Sequence, residues 1–173
     1  MGVNSGFYKF ILLLHIFTVI AGFGPTIIAP FFGMEAKARR GREGLAIAEA
    51  TEKVIATRAE LFIYAVPIFG ILLVLVSDDS WKFSQTWISL SFLLYIAALA
   101  IVHTVHMPNL KAMNRAMAVL AEGPPPGAGA ATGGPPPQVA ELEERGRKAG
   151  MVGGLLNLML IAVLVLMIWK PGA

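Results

Sequence analysis

Apolar residues in this sequence do not alternate with polar ones; they run on without interruption. Four stretches, roughly Phe7–Pro30, Leu61–Val76, Trp87–Val105 and Gly150–Trp169, are almost unbroken hydrophobic sequence. Each is close to the ~20 residues a helix needs to cross a ~30 Å hydrocarbon core. The pattern predicts an all-α fold: a four-transmembrane-helix bundle that forms a single domain over residues 1–173 in the lipid bilayer. The first run has Lys9 ahead of apolar residues, as a signal sequence does. It is interrupted by Gly22, Gly24 and Pro25 and followed by three further runs, so it reads as a retained helix.

The segments between the runs have patterns of their own. From Gly44 to Arg58 helix formers dominate, and Ile47, Thr51, Val54 and Arg58 trace a loose stripe. This predicts one helix from about Leu45 to Val76, kinked at Pro67. In the first run, Gly22, Gly24, Pro25 and Pro30 predict an inner half that is bent or locally unwound. After the third run, Asn109–Ala121 continues as a short helix, with Leu110, Met113, Met117 and Leu120 on one stripe suited to lying on the inner membrane surface. A Pro/Gly/Ala tract at about 122–138 has no period and nothing to bury, which predicts a disordered linker.

Composition sharpens this picture. The chain is 56% hydrophobic and 14% charged, too apolar for a water-soluble domain. The absence of cysteine excludes disulfides, thiolate metal sites and cysteine nucleophiles. Eleven basic residues, among them Lys37, Arg42, Arg58, Lys111 and Arg147, lie between runs one and two or between runs three and four. Only Lys9, Lys82 and Lys170 lie on the other side. The positive-inside rule then predicts a multi-pass protein of the inner (cytoplasmic) membrane with both termini outside. Tyr8, Trp81, Trp87 and Trp169 fall at the outer ends, as an interfacial belt requires. Topology explains the basic residues, and no nucleic-acid signature remains.

The chemistry available is narrow. The four runs contain no Asp or Glu, no nucleophile–base set and no phosphate-cradling glycine loop. Their ionisable groups are chiefly His15, His103 and His106, and an ionisable group at membrane depth is a functional candidate by default. His103 and His106, at i and i+3, share a helix face and make a weak metal candidate. They lie roughly 15–18 Å deeper than His15 along the membrane normal, so the three do not form one centre. His15 reads as an axial haem ligand, a proton-transfer group or a neutral imidazole bonded to a backbone carbonyl. Met159 and Met167 bracket its level on the fourth run as candidate second ligands. Gly150, Gly153 and Gly154 open that run, and the small-xxx-small spacing of Gly150 and Gly154 suits close contact within the bundle, in a homo-oligomer or in a larger membrane complex.

The stretch KFILLLHIFTVIAGFG, with His15 and, nine residues on, Gly24, resembles the opening of a group of small four-helix membrane proteins. The group comprises HemJ-type protoporphyrinogen oxidases, CopD-like copper-resistance domains and an uncharacterised bacterial family of predicted integral membrane proteins. Pro67–Gly70 and Trp87 are also similar to this pattern, which covers about Tyr8 to His106. Ser91 stands where HemJ proteins carry a lysine, and Gly22 where they carry a tryptophan, so the uncharacterised family is the nearer match. The resemblance implies b-type haem as the cofactor and His15 as its ligand. Three functional classes follow in order: an accessory or partner-binding membrane component without enzymatic activity, a haem-binding redox protein using His15, and a transporter or channel subunit.

Overall fold

The computed structural model describes residues 2–39, 41–123 and 137–172. Among these residues the chain is helical and without strands, and four helices are long and apolar enough to cross a membrane. They are α1 (Gly6–Arg39), α2 (Gly41–Leu75), α3 (Thr86–Glu122) and α4 (Pro137–Trp169). The fold is an all-α four-helix bundle. At 33 to 37 residues each, the helices are about 50–55 Å long, some 20 Å more than the hydrocarbon core. Every membrane helix therefore continues past the lipid.

Helices this apolar carry large side chains on all faces. Phe10, Leu13, Leu61, Leu93 and Leu158 are exposed, as residues facing lipid should be. The chain divides into two compact units. One comprises Met1–Ile28, Lys53–Leu99 and Leu156–Ala173; the other comprises Ala29–Glu52 and Ala100–Leu155. In the first, Tyr8, Ile11 and Leu73 form a buried cluster edged by Leu12, Phe69, Leu72 and Trp81. Phe17 meets Phe62 edge-to-face at 5.9 Å.

The turn between α1 and α2 depends on glycine at two positions. Gly41 has φ +52°, a left-handed conformation that other residues adopt at a cost. Gly44 packs so closely on the Ala36 carbonyl that a Cβ would collide with it. Between α2 and α3, Asp78 and Asp79 are both left-handed, which their short polar side chains tolerate. Ser77 is fully buried inside this turn. Its Oγ donates to Val74 O at 2.8 Å and accepts from Trp81 N at 3.0 Å.

One local expectation, the unwinding of α1, differs from what is observed. Helix α1 is continuous through Gly22–Pro30 and reaches Arg39. Local side-chain bonds, such as Thr26 Oγ1 to Phe23 O at 2.7 Å, supplement its backbone ladder. Asn109–Ala121 is helical and continues the third span, as α3 runs on to Glu122. A π-helical turn at Val102–His106, in which Met107 N–H bonds to Val102 O, precedes Pro108. The wider turn takes up the proline ring without ending the helix. Two helix ends flank the expected linker: α3 ends before Gly123, φ +76°, and α4 begins at Pro137. Residues 124–136, where disorder was expected, lie outside the described residues. Helix α2 holds a second π turn at Ile55–Ala59, with Glu60 N–H bonded to Ile55 O.

Candidate functional site

Helices α1 and α2 approach closely at Gly22. A Cβ there would lie 2.9 Å from both Ile63 N and Ile63 Cγ1, so no side chain fits. A tryptophan at this position, the residue of the HemJ pattern, is sterically excluded. That close approach sets the level of His15, two turns away on α1. Its Nδ1 lies 3.1 Å from Val66 O on α2. A carbonyl only accepts, so Nδ1 carries the proton and the neutral ring keeps its lone pair on Nε2. Gly70, one turn beyond Val66, lies against the ring: a Cβ there would stand in ordinary contact, 3.4 Å from His15 Cε1. Thr18, itself buried, donates its hydroxyl to His15 O at 2.8 Å.

Pro67 adds a second polar contact in the same stretch of α2. Lacking an N–H, it leaves the carbonyl four residues back, Ile63 O, without its helical donor. Tyr95 on α3 supplies one, with its hydroxyl 2.6 Å from Ile63 O. Gly22, Ile63, Val66, Pro67 and Gly70 thus form one strip of backbone contact. His15 enters it from α1 and Tyr95 from α3. Tyr95 was not singled out from sequence; the signal available was a tyrosine in the middle of an apolar run, where a hydroxyl needs an acceptor.

The other sequence candidates are placed less favourably for a single centre. Met159 and Met167 are half-buried on α4, in the same compact unit as His15. His103 and His106 belong to the other unit and lie in the π turn of α3. There the wider turn spreads an i, i+3 pair further apart than an α-helix would. His103 is exposed, while His106 is half-buried with Nδ1 shielded and without a partner. Its ring faces α4 at Gly153, where a Cβ would stand 3.8 Å from His106 Cε1. One turn on, buried Asn109 donates Nδ2 to Arg145 O at 2.9 Å, and its Oδ1 has no partner. Around the Cβ positions of Gly150 and Gly154 nothing stands within 4 Å. Among the described residues no group of three or more His, Cys, Asp or Glu can hold a metal ion.

Comparison with known proteins gives one result. Residues 9–171 match a family described as "Predicted integral membrane protein (DUF2269)", and the chain belongs to that family. No curated protein and no solved structure matches it. The protein is therefore an integral, multi-pass membrane protein of a family whose activity is not assigned.

Proposed function

Starting from that membership, we propose that the protein is an accessory membrane component without enzymatic activity, working by contact with a partner helix or a second copy of itself. The supporting observation is the face of α4. Gly153 is used against His106, whereas Gly150 and Gly154 have open space where a side chain would be. Small residues let another backbone approach closely, which is the main route to helix association in lipid. The apolar residues around them, Met151, Leu155 and Leu158, are exposed. Purification in mild detergent is expected to recover a homo-oligomer or a complex, which Gly154→Ile dissociates. A monodisperse wild-type monomer that turns over a defined substrate overturns the reading.

A second reading is favoured by the hydrogen bond of His15. A metal-bound histidine ordinarily donates its other ring N–H to a carbonyl or carboxylate, which fixes the ring and its tautomer. His15 has that arrangement through Val66 O, leaving Nε2 as the ligating atom. We infer that His15 is suited to be an axial ligand of b-type haem, with Met159 or Met167 as thioether candidates for the second position. Haem would supply one-electron redox chemistry, and the chain would supply the ligand and an apolar surrounding. Protein expressed with ample haem is expected to show a Soret band that His15→Ala abolishes and His103→Ala or His106→Ala leaves in place. Absence of the band from wild type, or its survival in His15→Ala, ends this reading.

A further inference from the structure

Neither reading uses the cluster at the end of the helices that carries Tyr8, Trp81, Trp87 and Lys170. All four lie in one compact unit. The indole rings of Trp81 and Trp87 meet at right angles, 5.4 Å between centroids. Lys170, the residue after α4, places Nζ 4.3 Å from the centre of the Trp81 ring and 5.7 Å from that of Trp87. Trp81 Nε1 donates to Tyr8 Oη at 2.9 Å. The buried Ser77 hydroxyl holds the Trp81 backbone in place.

What this cluster lacks is an acceptor. Trp87 is only 7% exposed, and its Nε1–H is buried with no partner. A buried donor left unmatched has given up water without gaining an acceptor, which destabilises the site as it stands. The Tyr8 oxygen is taken by Trp81, so the hydrogen of its own hydroxyl is left to donate. The Lys170 ammonium carries three donors and has no carboxylate within ion-pair distance among the described residues. The nearby acid Asp79 stands 4.0 Å from Lys82 instead. Three unmatched donors, one of them cationic, therefore lie within this one cluster. Their complement is an anionic oxygen able to take several hydrogen bonds.

The position identifies its source. Trp87 opens the apolar run of α3, and Lys170 directly follows the end of that of α4, so both lie where hydrocarbon gives way to headgroups. Trp169, next to Lys170, is 72% exposed and presents its ring outward. We propose that Lys170, Trp87 and Tyr8 form a binding site for the phosphate of an anionic phospholipid. The ammonium, steadied by the two indole faces, meets the phosphate charge, and the indole N–H and the tyrosine hydroxyl donate to its oxygens. Trp87 Nε1 is shielded, so admission of the phosphate requires side-chain movement. The four-carbon stem of Lys170 is the flexible member of the cluster.

The test is native mass spectrometry of full-length protein equilibrated with equal amounts of phosphatidylglycerol and phosphatidylcholine. Wild type is expected to retain phosphatidylglycerol in preference. Lys170→Gln should lower its retention roughly fivefold or more, and Trp87→Phe, which keeps a ring but removes the N–H, roughly two- to fivefold. Lys170→Arg keeps the charge and should keep the lipid, which separates loss of the site from loss of the fold. Equal retention of the two lipids, or unchanged retention in Lys170→Gln, overturns the proposal. So does displacement of the lipid by millimolar inorganic phosphate, which would make this a site for soluble oxyanions.

Discussion

His15 and His106 are both half-buried imidazoles on apolar helices, and both lie against a glycine of another helix. Gly70 faces one ring and Gly153 the other. Their polar surroundings differ. His15 meets a carbonyl with a lone pair to spare and is fixed in orientation and tautomer. The shielded Nδ1 of His106 meets no partner. A glycine opposite a histidine therefore supplies no specificity. Specificity comes from the facing backbone, which beside His15 is the strip of α2 around Pro67. The first arrangement is that of a positioned ligand; the second is a polar atom held at a cost.

Four substitutions test that contrast, beginning with the largest effect. Gly22→Val forces a side chain into Ile63 and separates the helices that hold His15. It is expected to destabilise the protein by about 3 kcal/mol, read from unfolding in detergent, and to weaken any ligand bound at His15. His15→Leu removes the bond to Val66 O and should cost about 1–2 kcal/mol. Tyr95→Phe strips the hydroxyl donor from Ile63 O and should cost about 1 kcal/mol, in the range of hydrogen bonds between membrane helices. That loss should shrink in a Pro67→Ala background, where residue 67 regains its N–H; an undiminished loss would mean the proline did not create the need for Tyr95. His106→Leu should be neutral or stabilising by up to about 1 kcal/mol, since it removes an unmatched polar atom. If His106→Leu proves as damaging as His15→Leu, the contrast drawn between the two histidines collapses.

The spans were readable from sequence because length and apolarity alone decide whether a helix crosses a bilayer. The faces were not. With apolar residues all round each helix, no stripe told which side of α1 met α2, so the roles of Gly22 and Gly70 emerged only from the structure. Local breakers were read too strongly. Pro25 and Pro30 suggested a bend or local unwinding, yet α1 stays helical through both. Pro67 was read as a kink, while its chemical effect, a carbonyl that Tyr95 comes to satisfy, depends on a residue 28 positions downstream. His15 was identifiable as a lone ionisable group in an apolar run. A bond to some backbone carbonyl was among the alternatives that the sequence left open; that the carbonyl is Val66 O came from the structure.

The π turns in α2 and α3 also bear on how the sequence can change. Each is one residue more than an α-helical ladder would hold over the same rise, so everything beyond it is rotated by roughly 100° relative to an uninterrupted helix. Deleting one residue within Val102–His106 would keep α3 apolar and helical while turning the segment after it, Asn109 included, away from Arg145. A one-residue deletion inside a membrane helix is ordinarily ruinous to register. Here the helix would survive it, and the altered phase would change which side chains face α4. Relatives that differ by single-residue gaps at these two places would be expected to share the helices and differ in which side chains those helices turn toward their neighbours beyond the gap.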